Sequence, residues 1–382
     1  MAVRGHQVLV IAASDTGQPY TQTEQNLTVM RLKSIRNPLR VNQRIMFMQR
    51  RAVLQALNKF KPDIIHVHEP VQMGLVGLKY IKHVNIPIIM TSHQLPWFVA
   101  SYMPNLPGLR TWIEKLVWRY ARKLTMQYTT VISPTKTISR IIETNTGVLP
   151  RTINYGIDLK IFHPNTAEQE VNTLRRKYNI PENAPLILHT GRLDADKHVD
   201  KVILSSEGAI RKSGTHLLIV GDGCEKPRLV ELCKSLEIEN HVHFPGFICN
   251  KGELAAIYRS SNIFVIASEI ETQGIVILEA IACGLPIVAV NAACIPEVVH
   301  HGINGYTTDP GDIHAMANAI EKILQNPSIA KSMRAKSLLL SKRYNIEFSF
   351  VHHEEFYYQL HENREFLPTY GLEKYMLMKP NK

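Results

Sequence analysis

Two loops in the second half of the chain carry charged side chains at spacings that suit phosphate and sugar binding. The first, GRLDADK at 191–197, follows the apolar run LILHT and places Arg192 and Lys197 five residues apart after Gly191. Two fixed cations suit a diphosphate, because arginine offers a planar fork of donors and lysine a compact charge. Taken alone, the same pair could equally be two stray cations on a surface loop.

The second loop, SEIETQG, follows the apolar run IFVIA and leads into a helix predicted by the sequence IVILEAIA. A helix start leaves backbone amides unpaired, so the amides of Gly274, Ile275 and Val276 form a natural phosphate site. Glu271 precedes this helix and Glu279 lies about a turn into it. Carboxylates in these places can accept hydrogen bonds from sugar hydroxyls, and the two loops together predict a sugar-nucleotide site.

Strands must position these loops. Short β-branched runs alternate with helical stretches along the chain, which is the pattern of βαβ units with parallel sheets. In such sheets ligands bind at the carboxyl ends of the strands. The predicted strands are 7–12, 64–68, 87–91, 130–133, 186–191, 216–223, 242–247, 263–268 and 286–290.

Length and composition favour two globular domains. The chain has 382 residues, of which 45% are hydrophobic and 20% charged, and that length suits two sizeable cores. The segment 149–165 is rich in turn formers, so we place the boundary there. We predict an N-terminal acceptor domain over 1–158, a nucleotide-sugar-binding domain over 159–345, and a helix and tail over 346–382 that cross back to the first domain.

The basic charge is confined to the first half of the chain. Residues 1–150 carry 19 Lys/Arg and 6 Asp/Glu, whereas residues 151–382 carry 25 and 27. The excess predicts an anionic partner, for which an anionic membrane surface is one candidate. Nucleic acid is disfavoured, because the sequence has no RNP, KH or zinc-finger pattern.

One predicted helix, over 109–128, carries much of this charge. Its apolar stripe contains Trp112, Ile113, Leu116, Val117, Tyr120 and Leu124, and the opposite side contains Lys115, Arg119, Arg122 and Lys123 with Trp118 among them. Helical spacing of this kind predicts a helix that lies on a membrane surface. It is also the pattern of a core helix with a solvated charged face.

Four segments together resemble the retaining glycosyltransferases of family four, which have the GT-B fold. They are GRLDADK, ETQGIVILEAIACGLPIVA, IPEVVHHGINGY and DPGDIHAMANAI. The resemblance covers nearly the whole chain and implies an α/β fold of two Rossmann-like parallel-sheet domains facing across a cleft. It further implies that Arg192 and Lys197 hold the diphosphate, that Glu271 contacts the transferred sugar and that Glu279 binds the ribose.

The same resemblance assigns further residues. It implies that Gly221 and Gly223 of the GDG turn, with Phe247, line the nucleotide base, and that His93 points at the donor sugar near the reacting carbon. A histidine in such a place could otherwise be a satisfied core residue. By the family's mechanism, the leaving diphosphate accepts the proton of the acceptor on the same face of the sugar, and no protein nucleophile takes part.

A narrower resemblance concerns the substrate. The ETQG form of the glutamate motif, HVHEP at 66–70, SPTK at 133–136 and the basic first domain look most like diacylglycerol glucosyltransferases and related glycolipid synthases. This implies transfer of a hexose, glucose from UDP-glucose, to a membrane lipid such as diacylglycerol, with no cofactor. The implied location is cytoplasmic, peripheral on the inner face of the cell membrane. The alternatives are a soluble or polysaccharide acceptor, or a non-catalytic nucleotide-sugar-binding or scaffold protein.

One feature of the sequence suggests the alternative of a non-catalytic scaffold protein. Family members open with a strand, a glycine-rich turn and a helix before a segment like RGHQVLVIA, and this chain begins at that segment. The first domain is therefore expected to lack its first βα unit. No apolar run reaches the ~20 residues of a membrane span, and the five cysteines contain no CxxC pair; both features favour an intracellular protein with reduced thiols.

No metal site is expected. The DAD sequence at 194–196 mimics a metal-binding motif, but it lies inside the loop of Arg192 and Lys197, where two cations already balance phosphate charge. We interpret it as structural. His66 and His68 stand two apart on a strand, and the sequence offers them no evident third ligand.

Overall fold

The computed structural model describes residues 1–37, 44–46, 49–93, 109–165 and 168–362. The chain divides into two compact units. One contains Met1–Ile153 together with the described residues from Phe350 on, and the other contains Asn154–Ser349. The boundaries drawn from the sequence, at 158/159 and 345/346, lie within five residues of these positions.

The described residues of the first unit up to Ile153 form short strands and four α-helices. The strands are β1 (Val8–Ala13), β2 (Tyr20–Glu24), β3 (Leu27–Leu32), β4 (Ser34–Arg36), β5 (Arg44–Met46), β6 (Ile65–Val67), β7 (Ile88–Thr91), β8 (Thr130–Ser133) and β9 (Arg151–Thr152). The helices are α1 (Arg50–Phe60), α2 (Gln72–Tyr80), α3 (Leu109–Thr125) and α4 (Lys136–Thr146).

Parallel pairing organises this unit. Strands β6, β7, β8 and β9 form a four-stranded parallel sheet in that order. A second sheet has the order β1-β3-β2, in which β1 runs parallel to β3 and β2 runs antiparallel to it. Strand β7 is buried along its whole length, because helices cover both faces of a parallel sheet.

The second unit is built on one six-stranded parallel sheet. Its strands are β10 (Leu186–Thr190), β11 (His216–Val220), β12 (Val242–Gly246), β13 (Ile263–Ile266), β14 (Ile287–Val290) and β15 (Gly305–Thr308). Their order across the sheet is β12-β11-β10-β13-β14-β15, and every neighbouring pair is parallel. All residues of β10, β11, β13 and β14 are buried, so the apolar runs in the sequence are the centre of the core.

Seven helices accompany this sheet, and an eighth ends the described chain. They are α5 (Glu168–Lys177), α6 (Val199–Ser213), α7 (Lys226–Ser235), α8 (Lys251–Ser260), α9 (Ile275–Ala282), α10 (Ile313–Gln325), α11 (Pro327–Ser341) and α12 (Ile346–Glu362). From Phe350 on, α12 belongs to the first unit. Its Glu354 accepts hydrogen bonds from Arg4 and His6.

The structure confirms the α/β fold with two Rossmann-like parallel-sheet domains. All nine predicted strands form. The hairpin of β2 and β3 and the edge strand β15 are found in the structure without having been predicted. The residues of β2 are mostly exposed and polar, so they lack the apolar alternation that identifies a strand in a sequence.

Helix α3 exposes part of the apolar stripe predicted for it. Trp112, Leu116 and Tyr120 are 62%, 48% and 46% exposed and follow one another at four-residue intervals. Trp118, expected among the cations, is half-buried and packs beside the buried isoleucines of α4. The cations Lys115, Arg119, Arg122 and Lys123 are exposed as well. Spacing defines the arcs of a helix whereas the neighbouring element decides which arc is covered, so membrane contact by this helix remains a prediction. Among the described residues, no helix is long and apolar enough to cross a bilayer.

Candidate active site

The two loops identified in the sequence meet at a cavity in the second unit. The cavity measures about 280 Å³ and lies at the carboxyl ends of β10 and β13. It brings together seven predicted site residues: Gly191, Arg192, Lys197, Glu271, Gly274, Ile275 and Val276. The lining also contains residues that the sequence analysis did not single out, namely Tyr155, His189, Thr190, Ile266, Thr272 and Gln273.

The loop after β10 is fixed by the loop after β11. A Cβ on Gly221 would lie 1.8 Å from the carbonyl oxygen of Gly191, so only glycine permits this approach of the two backbones. The amide of Leu193 donates to the carbonyl of Asp222 at 3.0 Å. The GDG turn therefore holds the cation-bearing loop in place.

Arg192 is held by the two carboxylates of the DAD sequence. Its guanidinium donates to Asp194, and through the other terminal nitrogen to Asp196 Oδ2 at 3.2 Å. The side chains of Asp194 and Asp196 are almost buried, at 6% and 3% exposure, while that of Arg192 is 35% exposed. The planar fork is thus oriented by two acceptors and still reaches the cavity.

Lys197 links the two loops. Its Nζ donates to Glu271 Oε1 at 2.6 Å, and it lies 3.3 Å from Ser268 Oγ and 3.4 Å from the carbonyl oxygen of Ile270. Both charged side chains of the pair are 15% exposed. The two contacts at 3.3 and 3.4 Å are long and therefore weak. Because a lysine has three donor hydrogens, it can exchange these contacts for a ligand oxygen and keep its bond to Glu271.

The start of α9 faces the same cavity. Its N-cap residue is Gly274, which has a φ of 68° and no side chain to cap the helix. The carbonyl of Gly274 accepts from the amide of Ile277, so the preceding amides stand at the positive end of the helix dipole. Together with Arg192 and Lys197, this end of the helix gives the cavity a positive wall that suits phosphate.

Glu279 lies outside the cavity lining. Its Oε2 accepts a hydrogen bond from the hydroxyl of Tyr258 at 2.7 Å, and that hydroxyl lies 2.5 Å from Thr190 Oγ1. Burial raises the pKa of Glu279 to about 7. The structure therefore connects this carboxyl to the cavity through Tyr258 and Thr190, and its contact with ribose remains a prediction.

The other predicted site residues lie elsewhere. Gly221 and Gly223 face the backbone of residues 191–194, and Phe247 is 64% exposed; none of the three lines the cavity. His93 belongs to the first unit, where its Nε2 lies 2.8 Å from Nδ1 of His68. The last three residues of the TSHQLP segment, 94–96, lie outside the described part of the chain.

His66 and His68 contact other side chains of the first unit. The ring nitrogens of His66 bond the hydroxyls of Tyr357 and Thr91, each at 2.6 Å. Over the described ranges, the structure contains no group of three or more His, Cys, Asp or Glu side chains arranged to hold a metal ion.

Two buried residues of the cavity lining could have been recognised from the sequence. His189 is a polar residue inside the apolar strand LILHT, and Gln273 stands in the ETQG motif. Both are almost fully buried, at 1% and 2% exposure. A polar side chain in a strand that is otherwise apolar marks a place where a hydrogen-bond partner is required.

Comparison with known proteins identifies the family. The profile described as Glycosyltransferase Family 4 matches residues 1–161, and that described as Glycosyl transferases group 1 matches residues 170–338. A GDP-mannose-dependent alpha-mannosyltransferase of Mycobacterium tuberculosis is 30% identical over 71% of this chain and 67% of that protein. The chain belongs to glycosyltransferase family four.

Relatives of this family-four chain have different names. An alpha-monoglucosyldiacylglycerol synthase of Acholeplasma laidlawii is 25% identical over 89% of the chain and 85% of that protein. A sulfoquinovosyl transferase of Arabidopsis thaliana is 28% identical over 72% of the chain, and the aligned part spans only 52% of the plant protein. Sucrose-phosphate synthase of Thermosynechococcus elongatus has a TM-score of 0.76 and 23% identity, with 94% of this chain and 90% of that chain covered. The last comparison confirms the GT-B fold.

Proposed function

We propose that this family-four chain is a retaining, metal-independent transferase that moves glucose from UDP-glucose to a membrane lipid such as diacylglycerol. The observation that carries the proposal is the cavity at the ends of β10 and β13. There Arg192, Lys197 and the first amides of α9 supply positive charge, and Glu271 supplies a carboxylate. This combination suits a ligand that joins a diphosphate to a hydroxylated sugar.

The diphosphate is expected to bind between the cations and the helix. A phosphate oxygen replaces the contacts of Lys197 with Ser268 or Ile270, while the shorter bond to Glu271 stays. Arg192 keeps its two aspartates and offers its remaining N–H donors. Because Asp194 and Asp196 are committed to Arg192, we assign the phosphate charge to side chains and amides rather than to a metal.

The chemical step follows from this placement. The bond from the anomeric carbon to the phosphate oxygen breaks, and a bond from that carbon to the acceptor oxygen forms on the same face. The departing phosphate oxygen takes the acceptor's proton. Negative charge grows on the phosphate as the bond breaks, so donors fixed there lower the barrier. We assign His93 of the first unit to the donor sugar, as the family resemblance implies.

The lipid acceptor has separate support. The exposed apolar row of α3, formed by Trp112, Leu116 and Tyr120, runs beside exposed basic side chains of the same helix. An apolar row with flanking cations suits a surface of anionic lipid headgroups. The name of the Acholeplasma laidlawii relative gives a glucosyl diacylglycerol as its product.

Transfer of labelled glucose from UDP-glucose tests the proposal. The assay offers diacylglycerol in vesicles with anionic lipid, soluble sugar acceptors in parallel, and GDP-mannose as a second donor. We expect label in the lipid fraction with retained α configuration. If the label appeared in a soluble product instead, the acceptor would be a soluble sugar and not a lipid. Binding of UDP-glucose with no transfer to either acceptor would instead support a nucleotide-sugar-binding scaffold.

A further inference from the structure

Two buried nitrogen atoms in the cavity lining have no hydrogen-bond partner among the described residues. They are Nε2 of His189 and Nε2 of Gln273. Buried polar groups in folded proteins nearly always have a partner, and an unpaired one costs about 1–3 kcal/mol. A cavity with two such atoms in its wall therefore lacks part of its hydrogen bonding until a ligand binds.

The hydrogen bonds of each side chain fix what its free nitrogen can do. Nδ1 of His189 lies 2.9 Å from the carbonyl oxygen of Val265, which can only accept, so Nδ1 carries the proton. Burial lowers the pKa of His189 to about 4, so the ring is neutral near pH 7. Its Nε2 is then a lone pair that requires a donor.

Gln273 has the complementary requirement. Its Oε1 accepts a hydrogen bond from the amide of Tyr155 at 3.1 Å, which fixes the orientation of the side-chain amide. Its Nε2 therefore presents N–H donors that require an acceptor. The wall thus combines one acceptor with one donor group, in addition to the carboxylate of Glu271.

There is room for a ligand atom beside His189. An ideal Cβ on Gly191 would lie 3.6 Å from Nε2 of His189 and, the two residues that flank this glycine aside, would meet no other heavy atom of the described chain within 4 Å. The space beside the backbone of Gly191, where the cation-bearing loop begins, is therefore open on the side that faces Nε2.

We propose that His189 and Gln273 read hydroxyl groups of the transferred sugar and so set the sugar specificity of this site. The inference rests on the proposed function. A neutral histidine lone pair does not bind phosphate, which presents only acceptor oxygens, whereas a sugar hydroxyl both donates and accepts. His189 and Glu271 line the same cavity, whereas Glu279 lies outside its lining, so His189 shares the cavity with the carboxylate assigned to the sugar.

The test separates the sugar from the nucleotide. Asparagine at 189 keeps a nitrogen where Nδ1 bonds Val265 and removes the lone pair at Nε2, so His189→Asn is the matched variant. Glutamate at 273 keeps the acceptor for Tyr155 and removes the donors, so Gln273→Glu is the second variant. Calorimetry measures binding of UDP and UDP-glucose to the full chain, with monodeoxy analogues of the glucose as further ligands.

We expect His189→Asn to weaken UDP-glucose binding about tenfold and to leave UDP binding unchanged. The wild type should bind one monodeoxy analogue about tenfold more weakly than UDP-glucose, and His189→Asn should bind the two equally. Gln273→Glu should likewise affect UDP-glucose more than UDP. A merely structural role would lower the affinity for UDP and UDP-glucose alike.

Three results would overturn the proposal. They are equal loss of UDP and UDP-glucose binding, no loss of either, and undiminished discrimination against every deoxy analogue in His189→Asn. Failure of the proposed function has a different result, because the wild type itself would then bind no UDP-glucose, or would bind it and transfer no glucose to any acceptor.

Discussion

The Nζ atom of Lys197 lies 2.6 Å from Oε1 of Glu271, and this ion pair joins the loop after β10 to the loop after β13. The sequence places the two residues 74 positions apart. The pair fixes a cation and a carboxylate side by side at one end of the cavity. The sequence assigns them separate roles, with phosphate and with sugar, and the structure shows that the position of each depends on the other.

The first prediction concerns this pair. Lys197→Ala should lower kcat about 10²–10³-fold, because it removes a donor that meets charge growing on the leaving phosphate. It also leaves the carboxylate of Glu271 without its cation, so Glu271→Gln in the same chain should restore thermal stability but not activity. Steady-state kinetics and thermal unfolding of the single and double variants measure this. Full activity in the double variant would show that Lys197 takes no part in the reaction.

The second prediction concerns the DAD sequence. Asp194→Asn and Asp196→Asn should each lower kcat/KM, since Arg192 loses a charged partner that orients its fork. Chelator should have no effect on the wild type, because the two aspartates bind Arg192. The exposed Asp312→Asn is the control for a lost carboxylate. Loss of activity in EDTA, restored by magnesium or manganese, would show that the aspartates bind a metal.

The third prediction concerns Glu279. Its pKa of about 7 is above the usual value of 4.5, because burial disfavours its charged form. Between about pH 4.5 and 7 the carboxyl is protonated in the folded protein and ionised in the unfolded chain. The free energy of unfolding should therefore fall as the pH rises through this range. Glu279→Gln should remove this decline, which amounts to about 3 kcal/mol. Urea unfolding of both proteins between pH 5 and 8 measures it, and parallel pH profiles would contradict it.

The same variant tests the ribose contact. If the carboxyl of Glu279 accepts hydrogen bonds from ribose, Glu279→Gln should weaken UDP binding by about 1–3 kcal/mol above pH 7. The fold should remain, because glutamine can still accept from Tyr258. Calorimetry with UDP at pH 8 measures the change. An unchanged affinity would limit Glu279 to its observed hydrogen bond with Tyr258.

The fourth prediction concerns the histidines of the first unit. Burial, followed by the neighbouring histidines, lowers the pKa of His66 and lowers that of His68 to about 4; burial also lowers that of His93. Below about pH 6.5 these histidines become protonated in the unfolded chain but stay neutral in the folded unit. The free energy of unfolding should therefore fall as the pH is lowered from 6.5 to 4.

His68→Asn should make that decline shallower, because one of the resisting groups is gone. His314→Asn, at an exposed histidine of the second unit, is the control. Hydrogen exchange of β6 and β7 at several pH values reports on the first unit alone. Equal acid sensitivity of the wild type and His68→Asn would show that the cluster does not limit stability.

The fifth prediction concerns α3. A variant with Trp112, Leu116 and Tyr120 changed to Ser should bind anionic vesicles more weakly than the wild type. A second variant changes the four basic residues Lys115, Arg119, Arg122 and Lys123 to Gln. Its free energy of binding to anionic vesicles should be weaker by about 1 kcal/mol for each of these charges that contacts the membrane surface. Binding of the wild type should also fall at 0.5 M salt, where screening acts over a few Å.

Vesicle co-sedimentation measures these changes. Leu339→Ser is the matched control, because Leu339 is 61% exposed on a helix of the second unit. Equal binding of all variants, or equal binding to neutral and anionic vesicles, would exclude α3 as the membrane-binding surface and favour a soluble acceptor.

Several parts of the fold were predictable because their signal is local. The runs LILHT and IFVIA are mainly apolar and become the central strands β10 and β13. The hairpin of β2 and β3 was not predictable in this way, since β2 is mostly polar and is stabilised by pairing with β3, which itself pairs with β1. The covered arc of α3 was not predictable for the same kind of reason, because it depends on packing against α4.

By itself, the sequence determined the alternation of strands and helices, the two loops at strand ends and the types of charge that they carry, since each is a property of neighbouring residues. Only the tertiary structure decided the partners. It bound Arg192 to both aspartates of its own loop, paired Lys197 with Glu271, and joined Glu279 to Tyr258. It also left the buried nitrogens of His189 and Gln273 facing one cavity without a partner in the described chain. These contacts depend on distance and direction between segments far apart in the chain, which are set when the parallel sheet brings the ends of its strands together.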